Sequence, residues 1–327
     1  MSLIRPATIL VYVGLDAVGD GLMKLPFLRA LKAAFPSARI TWLAGKGHTV
    51  YAGILAPLVA GLADEVIDDA AIGSTWRELL GSRPLGGRGF DMVVDTQRRV
   101  LTSLILKRVP HRWFVSASAG FLLSSRKPQG GYRRPDAMVA QLLDLVELAA
   151  GSPPPSPPPL VLDRQAQDDA QALLPAGPVY VGMAPGAGGK IKCWPLDRFI
   201  ELAREQVVRG RVPVFLLGPA EGDWAARIRD QVPQARFPLQ ECERVTPMLT
   251  VALGRCMAAA VANDSGTGHM LALSDIPLVS LFGPTPPQKF APAASDLQVL
   301  TARTWGSAEM TAIPLQAVAD ALNSRLL

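Results

Sequence analysis

The sequence is poor in the residues that build metal centres and disulfide frameworks. Its 327 residues include three cysteines, Cys193, Cys242 and Cys256, and three histidines. The number of cysteines is odd and their spacing fits neither a zinc site nor a set of disulfides, which favours a reduced, cytoplasmic setting. The histidines share no spacing that would bind a metal, so we expect neither a metal nor another cofactor.

Long apolar runs are missing too. The uncharged run at residues 47–63 has 17 residues, holds three glycines and Pro57, and is too short and broken to span a membrane. We interpret it as a buried helix. The first 13 residues show no small-residue cleavage site, so we expect no signal peptide. Any membrane contact is then expected to be peripheral.

Acidic residues are absent from one segment. Residues 1–155 carry 18 Lys and Arg against 12 Asp and Glu, whereas residues 156–327 carry 15 against 16. Residues 96–135 contain no acid but nine basic residues: Arg98, Arg99, Lys107, Arg108, Arg112, Arg126, Lys127, Arg133 and Arg134. This segment is either a solvated face or a surface for an anionic partner, such as a phosphorylated lipid or a membrane. No helix-turn-helix, finger or RNP-type motif favours nucleic acid.

Short apolar runs alternate with amphipathic runs, which is typical of parallel sheets covered by helices on both faces. The runs predict strands at residues 8–13, 39–43, 65–67, 92–95, 112–115, 179–183, 212–217, 235–237, 258–263 and 278–282. They predict helices at residues 22–34, 49–59, 75–80, 100–107, 137–149, 196–209, 224–232, 246–253, 267–273 and 315–326. The fold class is therefore α/β, with doubly wound, Rossmann-like parallel sheets.

Six prolines in residues 151–159 interrupt this alternation. Such a run favours an extended, semi-rigid linker, and a ligand for an SH3-type domain is the other interpretation. The sequence thus predicts a first domain at 1–150, a linker at 151–160 and a second domain at 161–312. A final amphipathic helix over 313–327 follows.

The stretch Asn263 to Met270 is the strongest functional signal. It follows a buried strand and leads into a helix, so residues 264–268 form a strand-to-helix turn in which Ser265 can cap the helix. The N–H groups at such a helix start attract an anion, and a phosphate suits them. Asp264 can hold sugar hydroxyls, and His269 is either a ligand contact or a buried structural histidine.

Three other loops hold candidate polar groups. Asp20 follows the first strand in a glycine-rich loop and is either a helix cap or a functional carboxylate. Lys192, with Lys190 as its alternative, follows a run of glycines that begins at Gly186 and frees backbone N–H groups for phosphate. Glu221 opens the helix after the strand at 212–217, where an acid favours the helix dipole whatever its function.

These motifs together resemble glycosyltransferase family 9, which contains the ADP-heptose:lipopolysaccharide heptosyltransferases. The resemblance is carried by Asn-Asp-Ser-Gly-x-x-His at 263–269 and Leu-Phe-Gly-Pro-Thr-x-Pro at 281–287. Val-Gly-Asp-Gly at 18–21, Pro-Gly-Ala at 185–187, Lys-Cys-Trp-Pro at 192–195 and Leu-Gly-Pro-Ala-Glu at 217–221 stand in the expected order. The blocks cover nearly the whole chain.

The resemblance implies a GT-B fold, in which two Rossmann-like domains face a cleft and the final helix crosses back onto the first domain. It implies a metal-independent, inverting transfer of a sugar, with Asp20 as the general base and Asp16 as its substitute. Lys192 is implied as the phosphate-binding lysine and Glu221 as the ribose ligand. The remaining donor-site candidates are Gly186, Asp264, Ser265, Gly266, Thr267 and His269.

The implied donor is a nucleotide sugar, ADP-heptose first, and the implied acceptor is the anionic inner core of lipopolysaccharide near the inner membrane. We assign acceptor binding to Arg98, Arg99, Arg126 and Lys127. No Asp-x-Asp pair occurs, which agrees with metal-free stabilisation of the diphosphate. A different donor or acceptor, or a non-catalytic relative, remains open. A sugar-nucleotide epimerase or dehydrogenase is disfavoured, because the dinucleotide loop and Tyr-x-x-x-Lys are absent.

Overall fold

The computed structural model describes residues 5–156 and 159–326. The chain divides into two compact units, residues 1–159 and 160–327, and the division falls inside the predicted proline-rich linker. Pro157 and Pro158 of that linker lie outside the described residues. None of the described helices is long and apolar enough to cross a bilayer.

The first unit contains five parallel strands in the order β3-β2-β1-β4-β5, the order of a doubly wound sheet. Its strands are β1 (Thr8–Val13), β2 (Arg39–Ala44), β3 (Glu65–Ile67), β4 (Phe90–Asp95) and β5 (His111–Ser116). Its helices are α1 (Val18–Ala34), α2 (Ala56–Val59), α3 (Val100–Leu106) and α4 (Met138–Ala150). Single 3-10 turns lie at Val50–Ala52, Trp76–Leu79, Pro84–Gly87 and Ser118–Phe121.

The second unit contains five parallel strands in the order β10-β9-β8-β6-β7. Its strands are β6 (Tyr180–Ala184), β7 (Val212–Phe215), β8 (Ala259–Asn263), β9 (Leu278–Phe282) and β10 (Leu297–Thr301). Its helices are α5 (Arg164–Leu173), α6 (Leu196–Val208), α7 (Trp224–Gln231), α8 (Pro238–Glu241), α9 (Pro247–Arg255), α10 (Gly266–Ala272), α11 (Pro287–Phe290) and α12 (Leu315–Asn323). Its 3-10 turns are Lys190–Lys192, Pro219–Glu221, Ala302–Trp305 and Met310–Ala312.

Burial on both faces explains why continuous apolar runs predicted the central strands. Ile9 to Val13 of β1 and all residues of β6, β8 and β9 are buried. Each fully buried Leu, Ile or Phe contributes about 1.5–3 kcal/mol to folding, before the cost in conformational entropy. These strands therefore form the stable core of each unit, and the loops at their carboxyl ends start from it.

Some predicted elements differ from the structure. Residues 47–63 form a 3-10 turn and the four-residue helix α2 rather than one buried helix, because the backbone leaves the helical conformation at Gly53 between them. The segment 235–237 forms only an isolated bridge between Val214 and Arg236. Strand β10 and helix α5 were not predicted, because β10 is a half-buried edge strand and α5 is mostly polar.

The final helix belongs to the second unit. Helix α12 packs against β8, β9 and α6, and its residues Val318, Ala319 and Leu322 are buried in the same core as Val279 and Leu281. These apolar residues lie within the second core. Packing of this helix on the first domain stays a prediction.

Each sheet has a point at which its winding reverses, between β1 and β4 in the first unit and between β6 and β8 in the second. In open α/β sheets, ligands bind beyond the carboxyl ends of the strands at this point. The loops that start there are residues 14–17 and 96–99 in the first unit, and residues 185–195 and 264–265 in the second.

Candidate active site

An ion pair stands at the carboxyl edge of the second sheet. Lys192 lies in the 3-10 turn after β6, and its Nζ donates to Oδ2 of Asp264 at 2.8 Å. The hydroxyl of Thr285, in the turn after β9, donates to the same oxygen at 2.7 Å. Asp264 is buried, whereas the Lys192 side chain is 32% exposed. A lysine held by a buried carboxylate but open to solvent can bind an incoming anion with its remaining donors.

Asn263 fixes the loops that carry these groups. Its side chain is fully buried, its Oδ1 accepts from the backbone N–H of Trp194 at 3.1 Å, and its Nδ2 donates to the carbonyl of Pro185 at 2.7 Å. Trp194 packs into the core, and its indole N–H donates to the carbonyl of Ile313 at 3.0 Å. The side-chain amide of Asn263 therefore fixes both ends of the loop that carries Lys192.

Glu221 lies over two glycines at the same edge. It ends the 3-10 turn after β7, and a Cβ atom on Gly186 would lie 2.6 Å from its carboxylate carbon. A Cβ atom on Gly218 would lie 2.8 Å from Oε2. Burial, and then the negative charge of Glu221, raise the pKa of the neighbouring Cys193 thiol. No donor in the described part of the chain bonds to this carboxylate, so its oxygens are open to ligand hydroxyls.

Helix α10 begins directly after its cap, Ser265, so residues 266–268 lie in its first turn rather than in the preceding loop. The hydroxyl of Ser265 accepts from the N–H of Gly268 at 3.2 Å, and its carbonyl accepts from the N–H of His269 at 3.1 Å. The N–H groups of Gly266 and Thr267 have no acceptor among residues 5–156 and 159–326. They are the two donors of this turn that remain for a ligand.

The packing of α10 explains one of its glycines and buries its histidine. A Cβ atom on Gly268 would lie 2.9 Å from the carbonyl oxygen of Asn263, so the helix can start this close to β8 only with glycine there. His269 is 7% exposed. The structure therefore supports the buried position of His269 and leaves ligand contact as a prediction.

Asp20 and Asp16 of the first unit differ in how many hydrogen-bond donors their oxygens already accept from. Asp20 is half-buried in the first turn of α1, which starts earlier than predicted, and its Oδ2 accepts from the N–H of Ala17 at 3.4 Å. Asp16 is buried, and its oxygens accept from the ammonium of Lys24 and, at 2.9 Å, from the hydroxyl of Thr49. Asp16 is thus committed to holding the loop, whereas Asp20 keeps one oxygen without a donor among the described residues.

A third carboxylate anchors the loop that carries Arg98 and Arg99. Oδ1 of Asp95 accepts from the N–H of Gln97 at 2.8 Å, and Oδ2 accepts from the hydroxyls of Ser103 at 2.5 Å and Ser116 at 2.9 Å. Burial raises the pKa of Asp95 to about 6, although these three bonds lower it. The loop after β4 therefore starts from a fixed, buried point.

Arg98 lines a groove of about 500 Å³ together with Lys127, Arg134, Tyr132 and others, which we call the basic groove. Partial burial, and then the charge of Arg134, lower the pKa of Arg98. Burial, and then a hydrogen bond from its hydroxyl to Asp144 at 2.7 Å, raise the pKa of Tyr132 to about 12. A cation whose pKa is lowered by a neighbouring cation gains stability when an anion binds between the two.

The four predicted acceptor-binding residues do not share one place. Arg98 and Lys127 line the basic groove. Arg126 lines an adjoining cavity of about 420 Å³, and its Nη1 donates to the carbonyl of Ala149 at 3.2 Å, where it stabilises the end of α4. Arg99 is exposed at the cap of α3, outside both linings.

Sequence reasoning missed several residues of these sites. Asn263 and Thr285 stood in the family motifs but were not chosen as site residues, and neither were Arg134 and Tyr132. The motifs were a signal for the first two, and the acid-free segment, which holds the other two, was a signal for the basic Arg134. Among the residues that the structure describes, no three His, Cys, Asp or Glu side chains come together in a group that could hold a metal ion.

Comparison with known proteins adds to this geometry. The model of glycosyltransferase family 9 (heptosyltransferase) matches residues 80–313, well over half of the chain. The chain is similar to lipooligosaccharide heptosyltransferase 2 of Haemophilus influenzae, with 34% identity over 129 residues, or 38% of this chain and 36% of that protein. It is also 26% identical over 316 residues to lipopolysaccharide heptosyltransferase 2 of Salmonella typhimurium. That alignment covers 89% of this chain and 87% of that protein.

A solved structure supports the fold. The glycosyl transferase family 9 protein of Veillonella parvula superposes with a TM-score of 0.74, covering 98% of this chain and 97% of that chain, at 19% identity. At this identity the likeness concerns architecture alone. With the two doubly wound sheets, it confirms the predicted GT-B type of fold.

Proposed function

The chain belongs to glycosyltransferase family 9 and is a glycosyltransferase, and from this premise we propose that it transfers heptose from ADP-heptose to the inner core of lipopolysaccharide. We infer further that the transfer inverts the anomeric carbon and needs no metal. The similarity to the lipopolysaccharide heptosyltransferase 2 of Salmonella typhimurium supports heptose as the sugar and lipopolysaccharide as the acceptor. The observation that carries the proposal is the grouping of Lys192, Asp264 and Glu221 at the carboxyl edge of one parallel sheet.

The second unit is the proposed donor site. Lys192 binds the diphosphate with the donors that Asp264 does not occupy, and the N–H groups of Gly266 and Thr267 bind it from the helix start. Glu221 accepts hydrogen bonds from the ribose hydroxyls, because its carboxylate is fixed over Gly186 and has free oxygens. Asp264 offers Oδ1 to a sugar hydroxyl, since its Oδ2 already holds two donors. Ser265 and His269 set the start of the helix.

Asp20 is the proposed general base. As the acceptor oxygen bonds to the anomeric carbon, Asp20 takes the proton of that hydroxyl, and the bond from the carbon to the diphosphate oxygen breaks with its electron pair. The departing ADP gains negative charge at that moment. Lys192 and the two helix N–H groups stabilise this charge more strongly than they stabilise the intact donor, which lowers the barrier.

The first unit is the proposed acceptor site. Arg98 and Lys127 in the basic groove, Arg126 in the adjoining cavity and Arg99 at the cap of α3 bind the anionic groups of the glycolipid. The excess of basic residues in 1–155 favours the approach of such an acceptor. We propose that transfer takes place on the cytoplasmic side, at the inner face of the inner membrane.

A donor and acceptor screen tests the proposal. The purified protein is incubated with ADP-heptose, UDP-sugars or GDP-sugars, with and without inner-core glycolipid, and released nucleoside diphosphate is measured. We expect release only with ADP-heptose and only when the acceptor is present, and an inverted configuration in the product by NMR.

Other outcomes would change particular parts of the proposal. Release with a different nucleotide sugar would keep the transferase and replace the donor. Binding of ADP-heptose without any turnover would make the chain a non-catalytic relative. Retention of the anomeric configuration would remove Asp20 as the base of a single displacement.

A further inference from the structure

An exposed apolar patch lies beside the basic groove in the first unit. It consists of Trp76, Leu80, Val100, Leu104 and Leu122, whose exposed fractions are 62%, 81%, 46%, 39% and 70%. Single exposed apolar side chains are normal on soluble proteins, but a contiguous group of large ones marks an interaction surface. None of these five residues has a role in the proposed transfer.

Three neighbouring segments bring the patch together. Helix α3 packs against the 3-10 turn Trp76–Leu79 and against the turn Ser118–Phe121. Nη2 of Arg108, at the end of α3, donates to the carbonyl of Gly81 at 2.6 Å, next to Leu80. Nζ of Lys107 donates to the carbonyl of Leu123 at 3.1 Å, next to Leu122. Hydrogen bonds thus hold the segments in one surface.

The cations around the patch identify its partner. Arg77, Arg83, Arg99 and Lys107 are exposed in or beside the same segments, and none forms an ion pair with a carboxylate of the described residues. The acid of these segments, Glu78, accepts from the N–H groups of Gly73, Ser74 and Thr75 at 2.7–3.0 Å, so its charge is turned inward. The surface therefore offers apolar side chains within a positive rim.

We propose that this patch docks the protein on an anionic phospholipid bilayer. Trp and Leu side chains enter the interface between headgroups and acyl chains, while Arg and Lys contact lipid phosphates. Phe121, adjacent to Leu122, lines the basic groove, so docking would bring that groove to the lipid surface. The biological purpose of docking rests on the proposed glycolipid acceptor, but the binding itself requires neither donor nor acceptor.

Vesicle flotation tests this surface. The full chain is mixed with vesicles of phosphatidylethanolamine and phosphatidylglycerol, or of phosphatidylcholine alone, at low and high salt. We expect binding to the anionic vesicles that weakens with salt, and at least tenfold weaker binding for the double variant Trp76→Ser, Leu80→Ser. Arg77→Gln with Lys107→Gln should weaken binding at low salt and flatten its salt dependence.

A matched control separates docking from general stickiness. Val161 and Val208 of the second unit are 82% and 88% exposed, so the double variant Val161→Ser, Val208→Ser removes comparable apolar surface elsewhere. It should bind vesicles like the wild type. Equal binding by all variants, or no binding of the wild type to anionic vesicles, would overturn the proposal. So would a concentration-dependent dimer that the Trp76→Ser, Leu80→Ser variant abolishes, because the patch would then be a self-interface.

Activity on a short, water-soluble acceptor distinguishes this proposal from the proposed function. The Trp76→Ser, Leu80→Ser variant should keep wild-type turnover on such an acceptor and lose rate only on acceptor embedded in vesicles. If the wild type binds vesicles but transfers no heptose, the proposed function fails while the docking surface stands.

Discussion

The carboxylates at the carboxyl edges of the two sheets differ in role: those of the first unit mostly fix loops, and those of the second unit remain accessible to a ligand. In the first unit, Asp16 and Asp95 are buried and each bonds to donors of its own unit, so they fix loops. In the second unit, Asp264 holds a partly exposed lysine, and Glu221 lies over glycine with free oxygens. The same architecture thus supports a fixed edge with one free acid, Asp20, and an edge prepared for a ligand.

Charge follows the same division. The basic excess lies entirely in residues 1–155, whereas the second half is nearly balanced. In the proposed function, the second edge attracts a diphosphate through a lysine and helix N–H groups in defined positions, and the first attracts an anion through several exposed cations. We therefore expect the second unit to select its ligand by the positions of its donors and the first unit by its electrostatic field, and each expectation can be tested separately.

The largest expected effect concerns Asp20. Asp20→Asn keeps the shape of the side chain but removes the base, so turnover should fall by roughly 10² to 10⁴ while the Kd for ADP stays unchanged. Steady-state kinetics and calorimetry measure the two quantities. Turnover within a few-fold of wild type would place the base elsewhere.

Asp16→Asn is the matched control for Asp20. It removes the charge opposite the buried Lys24, and breaking a buried pair costs about 3–5 kcal/mol. Its melting temperature should therefore drop, whereas that of Asp20→Asn should not. Equal melting temperatures for the two variants would contradict the distinction between a fixed and a free carboxylate.

The second prediction concerns Asp95 and pH. Its pKa is about 6 in the folded protein and near 3.8 when unfolded, so its favourable contribution is complete below pH 3.8 and disappears as the pH rises to about 6. The shift corresponds to roughly 3 kcal/mol. Between pH 4 and 6.5, the melting temperature of the wild type should fall relative to that of Asp95→Asn. Parallel curves for the two proteins would show that Asp95 ionises normally.

The sheets could be predicted from sequence because their strands are buried on both faces. Ile9 to Val13 and Ala259 to Ala262 form continuous apolar runs, which are typical of strands buried on both faces. Strand β10 escaped prediction because it is a half-buried edge, and the segment 235–237 misled because it has strand-like composition without a full partner strand. The pattern of apolar residues predicts which strands are buried, but it does not predict which strands are neighbours in the sheet.

The candidate site was predicted where its residues follow strands in the chain and missed where distant loops meet. Lys192, Glu221 and Asp264 each stand in a recognisable local motif. The role of Asn263 depends on Pro185 and Trp194, which lie 78 and 69 residues away, and the saturation of Asp16 depends on Thr49. Such contacts are set by tertiary packing, which leaves no spacing in the sequence.

The third prediction concerns Lys192 and metal dependence. Lys192→Ala removes a charged donor to the diphosphate, so the Kd for ADP should rise roughly 10- to 100-fold and transfer should slow. Lys190→Ala is the control and should bind ADP normally. Chelation of metals with EDTA should leave wild-type activity intact. Activity lost with EDTA and restored by Mg²⁺ or Mn²⁺ would refute the metal-free mechanism.

The fourth prediction concerns the space over Gly186. A methyl group there would lie 2.6 Å from the carboxylate carbon of Glu221, so Gly186→Ala should displace that carboxylate and weaken nucleotide binding roughly tenfold. Gly188→Ala is the control, because a Cβ atom at Gly188 meets no atom within 4 Å. If both variants bind ADP like the wild type, Glu221 does not hold the ribose.

The smallest expected effect concerns the field of the first unit. Neutralising Arg98, Arg99, Arg126 and Lys127 together should raise the KM for the acceptor, by up to about fivefold per charge at low salt. It should also flatten the salt dependence of that KM. The KM for the donor should not change, because the donor site lies in the nearly neutral half of the chain.

Single substitutions sharpen this last test. Arg98→Gln and Lys127→Gln should carry most of the change in acceptor KM, because both line the basic groove. Arg99→Gln, outside the groove, should change it least, and Arg126→Gln should also lower the melting temperature, because its guanidinium holds the carbonyl of Ala149. Equal effects from Arg98 and Arg99 would mean that the acceptor responds to net charge rather than to the groove. An acceptor KM that stays constant at low ionic strength would reduce all four residues to a solvated face.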